Sequence, residues 1–153
     1  MKELLEAISY GEKRSSIGRT IGEGDFSMLV NLNWTVGSIH ADSEHMQSTS
    51  FGERIQPGVC VLSTTIGLAN TSRVRSLMAE HGFQLIALLG FESVRFTSPV
   101  YPGDTITVES EILDARPSGE PKRCVARLRD VTTRQTGETV LEAVRTELYE
   151  LAG

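Results

Sequence analysis

Residues 58–80 read GVCVLSTTIGLANTSRVRSLMAE, and this segment decides the fold. After Gly58 the apolar residues recur with the helical period, which predicts a helix of about six turns that ends at His81-Gly82. One stripe contains Val59, Leu62, Ile66 and Ala69, with Val61, Thr65 and Leu68 beside it. Charge appears only from Arg73 onward. A helix that is apolar around most of its girth is buried, so we expect protein on nearly every side of it.

After Gly82 the hydrophobic period changes to two, which is typical of half-buried strands. Four strand candidates lie at 83–100, 104–115, 122–133 and 138–151. Turn sequences separate them at 102–104, 117–119 and 136–137, and links this short join antiparallel neighbours. Gly90 interrupts the first candidate and predicts a bulge or bend there.

These elements predict an α+β fold in which a curved antiparallel sheet of about five strands wraps around one long central helix. The preceding residues add a short leading helix, a short strand near 14–25, and a helix that Asp25 caps and Gly37 ends. Because no linker or low-complexity tract is visible, we expect residues 1–153 to form a single domain.

Bulk composition narrows the functional classes. Hydrophobic residues make up 39% of the 153 residues, charged residues 23%, and the net charge is −5. Without a basic face we expect no nucleic acid partner, and without a long apolar run no membrane span. Cys60 and Cys124 are too few for a disulfide framework, so a reducing cytoplasm is the expected location.

The candidate site lies in residues 33–58, NWTVGSIHADSEHMQSTSFGERIQPG. His40 precedes Asp42 by two residues, and Asp42 is expected either to cap the next helix or to orient the imidazole. His45 is interpreted as a surface residue. We expect no metal, because His40, Asp42 and His45 lack a further dedicated ligand and the helical spacing of zinc sites.

Two segments carry a resemblance to a known family. Residues 91–112, FESVRFTSPVYPGDTITVESEI, resemble the strand–turn–strand signature of hot-dog folds. Residues 40–58 resemble the MaoC-like (R)-specific enoyl-CoA hydratase/dehydratase branch, with gap-free spacing from His40 to Gly58. The resemblance implies a hot-dog fold, a substrate carried as an acyl-CoA or acyl-carrier-protein thioester, no cofactor, and a homodimer or dimer of dimers.

The resemblance also implies roles for individual residues. His40 falls on the catalytic histidine, and the amide of Gly58 on the donor that meets the thioester oxygen. Thr35 stands where the family has its catalytic aspartate; it can position a water but cannot act as a carboxylate. Pro57 replaces a histidine before the helix glycine.

Two further residues are candidates for substrate contact. Trp34 is expected as a core aromatic or as a wall of the acyl pocket, and Arg54 as a solvated cation or as a partner for an acidic acyl group or a CoA phosphate. Together they favour a short or carboxylated acyl chain.

Three functions stay open at this point. The first is a hydratase or dehydratase of acyl thioesters. The second is a hot-dog thioesterase, which the absence of Asp and Glu from residues 59–79 weakens. The third is a non-catalytic acyl-thioester-binding or partner subunit, which the threonine at position 35 favours.

Overall fold

A single antiparallel sheet forms most of the computed structural model, which describes residues 1–152. The long strands are β3 (Phe83–Phe96), β4 (Thr105–Pro117), β5 (Arg123–Arg134) and β6 (Thr139–Leu151), and the two-residue strands β1 (Arg14–Ser15) and β2 (Arg19–Thr20) pair with β4. The order is β1-β4-β5-β6-β3, so β3 forms one edge and pairs with β6. The predicted antiparallel pairing of the first two strand candidates across residues 102–104 is therefore wrong, because β4 pairs with β5 instead of β3. The register shifts on both sides of Gly90, so the irregularity predicted there is confirmed.

The remaining elements are helical. They are α1 (Lys2–Glu6), α2 (Glu23–Leu32), α3 (Ser38–Ala41), α4 (Ser43–Gln47), α5 (Gly58–Ala69), a 3-10 turn (Asn70–Ser72) and α6 (Ser76–Ala79). Within residues 1–152, no helix combines the length and the apolarity that a membrane crossing requires.

The predicted six-turn central helix is wrong in length. Helix α5 ends at Ala69, and Arg73 adopts a left-handed conformation with φ of 60° before α6 begins. The hydroxyl of Ser72 donates to the Ala69 carbonyl at 2.7 Å and accepts from the Val74 amide at 3.2 Å. Such local side-chain bonds compete with the helical ladder, and here they turn the chain.

The face of α5 that meets the sheet also differs from the expected stripe. Its buried residues are Cys60, Val61, Thr65 and Ala69, whereas Val59 is exposed. Residues 61, 65 and 69 repeat every fourth position, as one helix face requires. The hydroxyl of Thr65 pairs with that of Thr132 on β5 at 2.7 Å, which fixes the helix over the sheet.

Helix α2 begins earlier than the sequence predicted. Asp25 is its third residue, and its carboxylate accepts a hydrogen bond from the Gly22 amide at 3.2 Å. Asp25 therefore serves the helix N-terminus from inside the first turn instead of as the N-cap. The helix ends at Leu32, before Gly37, because Trp34 takes a left-handed conformation with φ of 57°.

Candidate functional site

The segment between α2 and α5 folds into the two short helices α3 and α4. Asp42 separates them, and its carboxylate accepts a hydrogen bond from the His45 amide at 2.9 Å. The expected capping role of Asp42 is therefore confirmed. Asp42 does not line the cavity described below.

His40 lies in α3, half-buried, with one ring nitrogen fixed. Nδ1 is 2.7 Å from the carbonyl oxygen of Ile55. A carbonyl oxygen only accepts, so Nδ1 carries the proton and the neutral ring keeps its lone pair on Nε2. The Ile55 amide donates to the Ile39 carbonyl at 3.2 Å, which ties α3 a second time to the segment before α5. The imidazole is thus oriented with its basic nitrogen free.

Gly58 begins α5 and packs against an aromatic ring. A Cβ at this position would lie 3.0–3.2 Å from three ring atoms of Phe96, closer than side chains normally approach. The amide of Gly58 belongs to the first helical turn, whose N–H groups have no acceptor within the helix, and among residues 1–152 it donates to no backbone acceptor elsewhere. The positive end of the helix dipole lies at this amide.

One cavity of about 370 Å³ brings His40 and Gly58 together. Its other lining residues come from the loop before α5, from α5 itself and from the end of β3 with the residues after it: Phe51, Ile55, Gln56, Val61, Phe96, Thr97, Ser98, Pro99 and Val100. The volume is within the range of small-molecule sites. A basic nitrogen and a free helix amide beside one cavity are the two groups that acid–base chemistry on a carbonyl compound needs.

Thr35 does not line this cavity. Its hydroxyl donates to the Val30 carbonyl at 3.2 Å, and its amide reaches the same oxygen at 3.1 Å. Both bonds close the C-terminal end of α2, so the hydroxyl already has an acceptor in the protein.

Trp34 is 88% exposed and lies outside the cavity lining. The expectation of a core aromatic is therefore wrong, and within this chain the indole forms no wall of the pocket. The left-handed conformation of Trp34 turns its side chain away from the core that Phe26 and Val30 of the same helix enter.

Arg54 and Pro57 also lie apart from the cavity lining. The guanidinium of Arg54 binds the Glu23 carboxylate at 2.7 Å and lies 5.2 Å from the centre of the Phe26 ring. Pro57 is the N-cap of α5, and its carbonyl accepts from the amides of Cys60 and Val61. Pro57 positions the helix start, and Arg54 is occupied by a neighbouring carboxylate.

Sequence reasoning missed Gln56 and the aromatic residues of the cavity. Gln56 is 4% exposed, and both polar atoms of its side chain are buried without a hydrogen-bond partner among the described residues. Its neighbour Cys60 has a thiol whose pKa is raised by burial. The sequence signal was a single polar residue between Ile55 and Pro57, too local to indicate burial.

Known proteins give this geometry a context. The family model described as "MaoC like domain" matches residues 31–135. The 3-hydroxyacyl-(acyl-carrier-protein) dehydratase FabZ of Thermus thermophilus is 39% identical over 121 residues, which cover 76% of this chain and 78% of that protein. Protein MaoC of Klebsiella aerogenes is 31% identical over 107 residues, and the match spans 70% of this chain but only 30% of that protein.

A solved structure agrees with the sequence matches. The monoamine oxidase regulatory protein of Archaeoglobus fulgidus superimposes with a TM-score of 0.82 at 29% identity, covering 97% of this chain and 95% of that one. The protein thus has the hot-dog fold, as the sequence predicted, with its cavity at the start of the central helix. The chain belongs to the MaoC-like dehydratase family.

Proposed function

We propose that the protein interconverts an enoyl thioester and the corresponding 3-hydroxyacyl thioester by adding or removing water. The observation that carries this proposal is the shared cavity of His40 and Gly58, in which Nδ1 of the imidazole is held by a carbonyl and Nε2 is left to accept a proton. The family membership and the dehydratase named among the relatives support the same reaction class.

A single base suffices for this reaction. In hydration, Nε2 of His40 takes one proton from water while the water oxygen bonds to C3 and the double-bond electrons move toward the thioester carbonyl. The resulting oxyanion accepts a hydrogen bond from the Gly58 amide at the positive end of α5. The protonated imidazole then returns its proton to C2, so that H and OH have been added and His40 is restored. Dehydration runs through the same steps in reverse.

The cavity favours an uncharged acyl group. Its walls include the apolar side chains of Phe51, Val61, Phe96 and Val100, and no Lys or Arg occurs among its described lining residues. Because Arg54 lies outside and pairs with Glu23, we no longer expect it to bind a carboxylated acyl chain. We infer a short acyl group, carried by CoA or by acyl carrier protein.

The edge strand β3 supports a homodimer. On this strand Leu85, Ile86, Leu88, Leu89 and Phe91 are all exposed, although such residues are usually buried. A long apolar edge strand in water normally pairs with another strand. We infer that two copies of the chain pair through β3, as a dimer or within a dimer of dimers. Separately, both cysteines are free and buried, from which we infer that the protein works in the reducing cytoplasm.

A non-catalytic acyl-thioester-binding subunit is the second candidate. It is favoured by two observations: no carboxylate occurs among the described lining residues, and the hydroxyl of Thr35 is bonded to Val30. A thioesterase has less support, because neither this lining nor α5 supplies a carboxylate to activate water.

Incubation with crotonyl-CoA separates the three candidates. Loss of enoyl absorbance without free thiol is expected for hydration, thiol release for hydrolysis, and binding without either for the non-catalytic subunit. We expect His40→Ala to lower the hydration rate by about 10²–10⁴, the usual contribution of a general base. His45→Ala is the matched control, since His45 is exposed on the neighbouring helix α4. Equal rates for the wild type and His40→Ala would contradict the proposal.

A further inference from the structure

The side chain of Gln56 lines the cavity wall and has no hydrogen-bond partner among the described residues. Its Oε1 and Nε2 are both buried and unbonded within residues 1–152. Leaving a buried amide unpaired is unfavourable, so folded proteins rarely retain one without a reason. The backbone of Gln56 is satisfied, because its amide donates to the Val100 carbonyl at 2.8 Å.

Two other polar side chains of the wall have acceptors within the protein. The Thr97 hydroxyl donates to the Thr139 carbonyl at 2.6 Å, and Nδ1 of His40 to the Ile55 carbonyl at 2.7 Å. The buried thiol of Cys60 donates to the Leu29 carbonyl at 3.5 Å. Gln56 lines the cavity, so a ligand bound there is a partner that its side chain can reach by rotating.

The chemistry of an amide indicates which partner fits. A side-chain amide offers an acceptor at Oε1 and donors at Nε2, and a water or hydroxyl group can use both because it donates and accepts. A thioester carbonyl only accepts, and the Gly58 amide already faces that role. A ligand oxygen attached at C3, or the water about to attack C3, is the complementary group.

We propose that Gln56 is a substrate-positioning residue that binds the C3 oxygen: the attacking water in hydration and the 3-hydroxyl group in dehydration. The proposal rests on the hydratase/dehydratase function proposed above and adds a residue to it. Because an amide cannot take up a proton at neutral pH, Gln56 orients the oxygen while His40 alone moves the proton. Gln56 thus orients the C3 oxygen beside the base, a role for which position 35 offers no carboxylate.

Binding measured without turnover tests this role. In a His40→Ala background, titration calorimetry compares butyryl-CoA with each enantiomer of 3-hydroxybutyryl-CoA, ligands that differ only in the C3 oxygen. We expect one 3-hydroxy enantiomer to bind about tenfold more tightly than butyryl-CoA, and Gln56→Met to remove this preference, since a site built for a hydroxyl discriminates against its absence. A preference that persists in Gln56→Met, or one that is absent with Gln56 in place, would overturn the proposal.

Kinetics give a second readout that a purely structural role would not produce. Crotonyl-CoA has no C3 oxygen, so Gln56→Met should lower kcat for hydration at least tenfold while KM changes less than threefold. Gln56→Glu, which keeps an acceptor oxygen, should retain more of the rate than Gln56→Met. A fall in kcat/KM that arises entirely from KM would count against Gln56 as the residue that holds the water.

Stability separates function from structure. Since the amide of Gln56 has no partner to lose, Gln56→Met should melt at the wild-type temperature or above it. Thr65→Val is the matched control, because Thr65 is also buried but bonds to Thr132; it should melt lower and keep the ligand preference. A lower melting temperature for Gln56→Met would indicate a structural role. If the wild type failed to hydrate crotonyl-CoA, the function would fall, and the ligand preference would still decide whether Gln56 binds a C3 oxygen.

Discussion

Replacing Glu147 by Gln tests the buried charge network that lies on the inner face of the sheet. Glu147 and Arg145, two residues apart on β6, are fully buried and bonded at 2.7 Å. The Tyr149 hydroxyl donates to the same carboxylate at 2.6 Å, and Arg75, from the break after α5, also pairs with it. Arg145 in turn binds Asp130 at 2.8 Å. The carboxylate of Glu147 therefore neutralises cations from two elements.

The size of the expected loss in stability follows from the burial of the two charges. Glu147→Gln keeps the shape but leaves the buried Arg145 with less compensating charge, and breaking a buried pair costs about 3–5 kcal/mol. Arg75 is partly exposed, which favours the lower end of this range. For a domain of this size each kcal/mol corresponds to about 2–4 °C, so the melting temperature should fall by roughly 6–20 °C.

The matched control is Glu142→Gln on the same strand. Glu142 pairs with Arg129 at 3.4 Å, and both side chains are exposed. Exposed pairs contribute about 0–1 kcal/mol, so this variant should melt within about 4 °C of the wild type. Urea unfolding followed by circular dichroism, at one fixed protein concentration, measures both variants. Equal losses of unfolding free energy in the two variants would refute the reasoning.

The difference in stability between the wild type and Glu147→Gln should depend on pH in a defined direction. Burial raises the pKa of the Glu147 carboxyl, but bonds from Arg75, Arg145 and Tyr149 outweigh it, and the pKa lies below its usual value of 4.5. A carboxyl with a lowered folded-state pKa stabilises the protein above its unfolded-state pKa and loses this contribution as the pH falls through the folded-state pKa. The difference between wild type and Glu147→Gln should be full at neutral pH and shrink in acid below 4.5. A difference that grows in acid would show that the pKa is raised.

Three further outcomes are expected. Gly58→Ala should lower the hydration rate at least tenfold, because the added Cβ displaces the ring of Phe96 at the cavity. Since that ring is half-exposed and can move, the unfolding free energy should change by less than about 2 kcal/mol. An unchanged hydration rate would show that Gly58 is not part of the site. Leu89→Lys should convert the proposed dimer to a monomer, because the lysine charge opposes pairing of the β3 edges. Light scattering measures the mass, and an unchanged dimer mass would exclude β3 as the interface. Thr35→Asp should not increase the hydration rate. It should lower the free energy of unfolding by about 1–3 kcal/mol, because a carboxylate cannot donate to the Val30 carbonyl. A faster enzyme would show that position 35 reaches the substrate.

The strands and their turns were predictable because they depend on local rules. The change of period after Gly82 marked the start of β3 correctly, although the strand ends at Phe96 and not at residue 100, and the Pro-Gly and Thr-Gly turns separated the strands that follow. Asp42 was also predictable as a cap, since an aspartate three residues before an amide donor acts through one short bond. The end of α5 was not predictable in this way: apolar periodicity continues to Met78, and the turn depends on Ser72 bonding back to Ala69.

An alternation of apolar and polar residues predicts a strand but does not identify which face of the strand is buried. On β6, hydropathy alone would turn Val144 and Leu148 inward, yet these two are only partly buried, whereas Arg145 and Glu147 are fully buried. Their burial depends on partners such as Asp130 and Arg75, which lie far away along the chain. A charge can be buried only where another chain segment supplies its counter-charge.

The sequence by itself determined the sheet, the presence of an apolar helix beginning at Gly58, and the pairing of His40 with that glycine as candidates for one site. These depend on periodicity, turn chemistry and a gap-free motif. Only the tertiary structure decided that Thr35 and Arg54 are occupied by other partners, that Trp34 faces solvent, and that Gln56 lies buried and unbonded beside His40. The physical reason is that a polar side chain acts through the partner it has, and that partner is set by segments that only folding brings together.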